Sequence, residues 1–201
     1  MIKTSNNRAN EQSAAEWYAS LQSDEQERAR RYYPNDLLSE LNSSSPPTLE
    51  EVLTGILRTA KDQRNHDDVI AYAKQGMSLK TTDITRVLFY DYLIKAFVNV
   101  AIKVCHWDEV AKYCLQALAE YSRSKYPQQV KKMDTVYDLR GLCKRELIHV
   151  AKNRKNFEKE EQNLQFLVSE GLLSSEEKND ILQGIRDQLN HRKPTYLGPE
   201  A

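Results

Sequence analysis

The sequence predicts an all-α fold, and three observations carry that prediction. Only Pro127 lies between residues 48 and 193, so the middle of the chain has almost no backbone breaker. Apolar residues there recur every three or four positions, the spacing that gathers them on one face of a helix. One helix-like segment also returns. Trp107-Asp108-Glu109-Val110-Ala111-Lys112-Tyr113-Cys114-Leu115-Gln116-Ala117-Leu118 has a relative at residues 66–77, forty-one positions earlier. A weaker copy starts at Phe157, fifty positions later.

Composition bounds the class. With 29% charged and 40% hydrophobic residues in a 201-residue chain, one globular domain and a tail are expected. The formal net charge is zero, so no global field draws in nucleic acid. No apolar run approaches the roughly 18 residues of a membrane span, so no membrane partner is expected. Residues 1–12 lack the apolar core of a signal peptide. Three cysteines, an odd number at irregular spacing, argue for reduced thiols. A cytoplasmic location is therefore expected, with a nuclear one compatible.

The elements follow in order. Residues 1–47 read as a polar, loosely docked arm. Within it Ala14, Ala15, Trp17, Tyr18 and Leu21 suit a short amphipathic helix, and Leu37, Leu38 and Leu41 form a small apolar group. Asn42-Ser43-Ser44-Ser45-Pro46-Pro47 reads as a linker. Thr48-Leu49-Glu50-Glu51 is a capping box, followed by Leu53, Ile56, Leu57 and Ala60 on one helical face. Asn65 marks a turn, and residues 66–77 form the next helix, where Gly76 admits a close neighbour. A long helix is expected from Asp83 to about Cys105, another from Trp107 to about Ser124, and another from Gln128 to Lys152. Phe157 to Val168 closes before Gly171. Ser174-Ser175-Glu176-Glu177 is a second capping box, opening a helix to about Asn190. The expected domain spans 48–192, with 193–201 as a tail.

The repeat extends to the preceding helices. Leu53, Ile56, Leu57 and Ala60 align with Ile94, Phe97, Val98 and Ala101, and then with Lys144, Leu147, Ile148 and Ala151. In the second helices Ala73, Cys114 and Leu164 align, as do Gly76, Ala117 and Leu167. Residues 49–170 resemble tetratricopeptide (TPR) repeats, whose second helix carries an aromatic start and a later Ala-Leu, as in Trp107…Ala117-Leu118. The periods of 41 and 50 exceed the usual 34, and Glu160 stands where that pattern wants alanine. The resemblance implies a stack of three TPR-like hairpins closed by a C-terminal capping helix. It also implies a concave protein-binding face.

No catalytic signature is present. The six glycines are too scattered for a phosphate-cradling loop, and Cys105, Cys114 and Cys143 lack zinc-ligand spacing. They read as buried helix-face residues. Glu146-x-x-His149 has no second copy, so no metal and no cofactor are expected. In the resembled family a Lys and an Asn four residues apart on a first helix grip a carboxylate, and Lys95 and Asn99 have that spacing. The expected partner-binding set is Tyr92, Lys95, Asn99 and Lys103 on one first helix and Arg145, His149 and Lys152 on the next. That set suits a protein or acidic peptide. Residues 121–159 hold eleven basic residues against four acids, a local excess of seven. The second reading is therefore a nucleic-acid-associated regulator using that segment. The first reading is a non-catalytic adaptor or regulatory subunit.

Overall fold

The computed structural model describes residues 12–79, 83–104, 107–122, 138–154 and 156–190. All regular structure among them is α-helical. The helices are α1 (Ala14–Ser20), α2 (Ser23–Tyr32), α3 (Leu37–Leu41), α4 (Leu49–Asp62), α5 (His66–Ser78), α6 (Asp83–Val104), α7 (Trp107–Ser122), α8 (Leu139–Arg154), α9 (Phe157–Ser169) and α10 (Ser175–Asn190). None of the described helices is long and apolar enough to cross a membrane. The chain divides into two compact units, Met1–Ala96 and Phe97–Ala201.

In the first unit, α4 and α5 form a hairpin. Helix α4 starts where Thr48 Oγ1 accepts from the Glu51 amide (3.2 Å) and the Glu51 carboxylate accepts from the Thr48 amide (2.7 Å). These bonds satisfy amides that an uncapped helix end leaves orphaned. The α4 face of Val52, Leu53, Ile56, Leu57 and Ala60 is fully buried. Asn65 caps α5 through the Asp68 amide. Gly76 is where α5 meets α6, because a Cβ there would lie 2.4 Å from the Phe89 ring. The first part of α6 is apolar on more than one side, with Phe89, Tyr90, Tyr92, Leu93 and Ile94 all buried. A helix of that kind is enclosed rather than surface-lying.

The segment expected as a loose arm departs from that expectation over residues 12–41. Trp17, Tyr32 and Leu37 are buried, and α1 and α2 pack on α4. Trp17 meets Tyr72 edge-on, ring centroids 6.5 Å apart, and donates to Gln75 (3.2 Å). The Tyr32 hydroxyl donates to the buried Asp68 carboxylate (2.7 Å), which also accepts from Asn65 (2.7 Å). Arg28 lies 3.4 Å from the other Asp68 oxygen. A buried carboxylate needs such partners, so α2 is tied to the start of α5 as well as packed on α4. Residues 43–46 of the linker are exposed.

In the second unit, α7 packs on α8, α8 on α9, and α10 on both α8 and α9. The buried face of α7 is Trp107, Val110, Ala111, Cys114, Ala117 and Leu118. Phe97, near the end of α6, stacks on Tyr113 with centroids 5.3 Å apart. The expected helix from 128 differs. Asp138 has φ +46°, outside the helical region, and its carboxylate accepts from the Gly141 amide (3.1 Å). Helix α8 therefore begins at Leu139, and residues 128–137 lie outside the described set. Gly171, at φ +66°, ends α9, and the Leu172 amide returns to the Leu167 carbonyl (2.9 Å). The second capping box is formed, with Ser174 and Glu177 exchanging bonds of 2.8 and 3.0 Å.

Helices α5, α7 and α9 start at His66, Trp107 and Phe157, as the repeat alignment places them. The aligned positions Ala73, Cys114 and Leu164 are each 0% exposed.

Candidate interaction surface

Helix α8 separates its residues by period. Leu139, Leu142, Cys143, Leu147, Val150 and Ala151 face the core, while Arg145 and Lys152 are exposed and His149 is half-exposed. Positions 145, 149 and 152 are four and three apart, so they share one side of the helix. The His149 ring rests on the Trp107 indole at 4.9 Å between centroids. Its Nδ1 lies 3.5 Å from Glu146 Oε2, an oxygen sealed from solvent. Arg145 reaches back to the Asp138 carboxylate at 3.5 Å; both side chains are mostly exposed, so the pair is weak and displaceable. Lys152 has no ion-pair partner among the described residues.

The expected residues of α6 fare differently. Tyr92 is 8% exposed, and Lys61 Nζ sits 5.6 Å above its ring. It is a packing residue, because α6 is apolar on that side too. Lys95 is exposed, but its ammonium holds the buried Asp91 carboxylate at 2.6 Å. It therefore has a structural duty that its spacing did not announce. Asn99 is exposed, and the side chain of Lys103 lies outside the described residues. Tyr92 and Lys95 belong to the first unit and the other five to the second.

Several bases of the 121–159 segment are already engaged. Arg154 bridges two acids: its Nε donates to the fully buried Glu160 (2.6 Å), and its terminal nitrogen pairs with Asp108. Asn163 donates to the second Glu160 oxygen (3.3 Å). This network explains how an acid occupies a place where the repeat pattern wants alanine. Burial pushes the Asp108 carboxyl up, but Arg154 and Lys159 together hold it below its ordinary 3.8. Lys144 lies 3.7 Å from Glu177. Arg140 donates to the Glu170 carbonyl (3.0 Å) and covers the Tyr121 ring. Arg123, Lys125, Lys131, Lys132 and Lys155 lie outside the described residues.

Sequence reasoning missed the networks at Asp68 and Glu160. Tyr32 is 36 positions from Asp68, and Asp108 is 46 positions from the Arg154 that also holds Glu160, so no local pattern links them. Among the described residues, no group of three or more His, Cys, Asp or Glu side chains is placed to hold a metal ion. No family model matches the chain, and neither a curated protein nor a solved structure matches it.

Proposed function

We propose that this chain is a non-catalytic protein–protein interaction module, an adaptor or regulatory subunit built from three TPR-like hairpins and the capping helix α10. The observation that carries this reading is the exposed line Arg145, His149 and Lys152 on α8. Its central ring is seated on the buried Trp107. An interface gains from side chains whose position is fixed before binding, because less freedom is lost on association. Trp107 fixes His149 in this way, while Arg145 and Lys152 supply charge that an acidic segment of a partner can meet. The coincident starts of α5, α7 and α9 with the repeat alignment support the hairpin architecture. By analogy with other helical repeats, the first helix of a hairpin carries the binding face, and in the second unit that helix is α8.

The excess of basic residues at 121–159 is the feature behind a nucleic-acid reading. Arg140, Lys144, Arg154 and Lys159 each have an intramolecular partner, which leaves them less available to phosphates.

The test is affinity capture from source cells with the wild-type chain and an Arg145→Glu, Lys152→Glu variant. A discrete protein should be retained by the wild type, released by salt, and lost with the variant at unchanged melting temperature. Equal retention of that protein by both chains would refute the α8 face. Retention of nucleic acid in place of protein would refute the module reading.

A further inference from the structure

Two free cysteines sit together in the interface between α7 and α8. Cys114 and Cys143 are each 0% exposed. Ring contacts fix the register of the two helices independently of the thiols. Trp107 meets His149 at one end, with centroids 4.9 Å apart. Arg140 lies 5.2 Å above the Tyr121 ring at the other. The helices therefore run antiparallel. Cys114, midway between Trp107 and Tyr121, falls opposite the stretch between Arg140 and His149 that contains Cys143. Both thiols lie on the buried faces of their helices.

We propose that Cys114 and Cys143 are a disulfide-forming pair that reversibly cross-links α7 to α8, with a hydroperoxide as the oxidant. One thiolate attacks a peroxide oxygen; the O–O bond breaks, a sulfenic acid forms and water leaves. The second thiolate attacks that sulfur, the S–O bond breaks, the S–S bond forms, and a second water leaves. Two thiols and one hydrogen peroxide thus give one disulfide and two waters. The second step is intramolecular and favoured by the pairing already present. The first is slow in the closed protein. The hydrogen bond to Cys143 and then burial push the Cys114 thiol well above its ordinary range, and only the thiolate reacts. Oxidation is therefore gated by separation of α7 from α8. The bond then fastens the helices that carry Trp107 and His149.

The experiment treats the full chain with hydrogen peroxide, alkylates the remaining thiols, and maps tryptic peptides without reduction. Peptide 113–123 should appear joined to peptide 141–144, and dithiothreitol should separate them. The Cys105→Ser variant should give the same linked pair, since only these two thiols remain. The oxidised chain should melt at a higher temperature, because the bond restricts the unfolded state. Recovery of Cys114 and Cys143 as alkylated thiols or separate sulfinic acids after complete peroxide treatment would overturn the assignment. So would linkage through Cys105 in every joined peptide, or a lower melting temperature of the oxidised chain.

Discussion

The His149 imidazole lies on the Trp107 indole, ring centroids 4.9 Å apart and planes tilted by 55°. One residue belongs to the proposed binding face and the other to the buried face of α7, where it is 7% exposed. Trp107→Ala removes the support of the first and much of the packing of the second. It should cost about 3–5 kcal/mol, read from urea unfolding. His149→Ala should cost under about 1.5 kcal/mol, since the ring is half-exposed and loses mainly an aromatic contact. Equal losses in the two variants would contradict this division of roles.

Two helix-interior glycines should respond to alanine with opposite signs. At Gly76 a new Cβ would lie 2.4 Å from the Phe89 ring, which is itself 0% exposed and has no room to retreat. Overpacking costs about 1–3 kcal/mol and outweighs the roughly 1 kcal/mol of helix propensity gained. Gly76→Ala should lower the melting temperature. At Gly184 a Cβ meets nothing within 4 Å, so Gly184→Ala should raise stability by about 0.5–1 kcal/mol. Thermal melts of both variants decide the matter, and a stabilised Gly76→Ala chain would mean that α5 and α6 are farther apart.

The pair formed by Arg154 and Glu160 should show the asymmetry of buried charges. Glu160 is 0% exposed and Arg154 only 14%. Arg154→Ala leaves the carboxylate with Asn163 alone and should cost about 3–5 kcal/mol. Replacing both at once, with Arg154→Met and Glu160→Leu, should cost less than the single change, because no charge is then left stranded. A double variant at least as unstable as Arg154→Ala would show that the charges themselves hold α9 in place.

Removal of residues 1–47 should destabilise what remains. Fully burying a large apolar side chain contributes about 1.5–3 kcal/mol, and Trp17, Tyr32 and Leu37 are all buried against the rest of the first unit. Without Tyr32 and Arg28, the Asp68 carboxylate keeps only Asn65. The 48–201 chain should melt well below the full chain; equal melting temperatures would show that this packing contributes little.

Much of the fold was legible because its signals are local. Thr48 with Glu51, and Ser174 with Glu177, announce helix starts within four residues. The faces of α4 and α7 follow from spacing alone, and the starts of α5, α7 and α9 follow from the repeat. Signals that depend on distant neighbours were not legible. Trp17 and Tyr18 suit a helix, but nothing near them says that they dock on α4 and α5. Asp138 takes a positive φ without being glycine, so no residue type flagged the break before α8. The candidate site was legible to the same degree. Spacing placed Arg145, His149 and Lys152 on one side of α8. The same logic put Tyr92 in a groove, although α6 is apolar on several sides and buries it. Lys95 looked free because its buried partner, Asp91, lies off the apolar stripe.

The central claim is that a partner protein docks on the exposed side of α8, and site-specific photo-crosslinking tests it most directly. A photoreactive residue placed at Lys152 in source cells should give one discrete protein adduct, and Arg145→Glu should abolish it. The same residue at Gln183, exposed on α10, should not give that adduct. An identical adduct from both positions, or from Gln183 alone, would contradict the account.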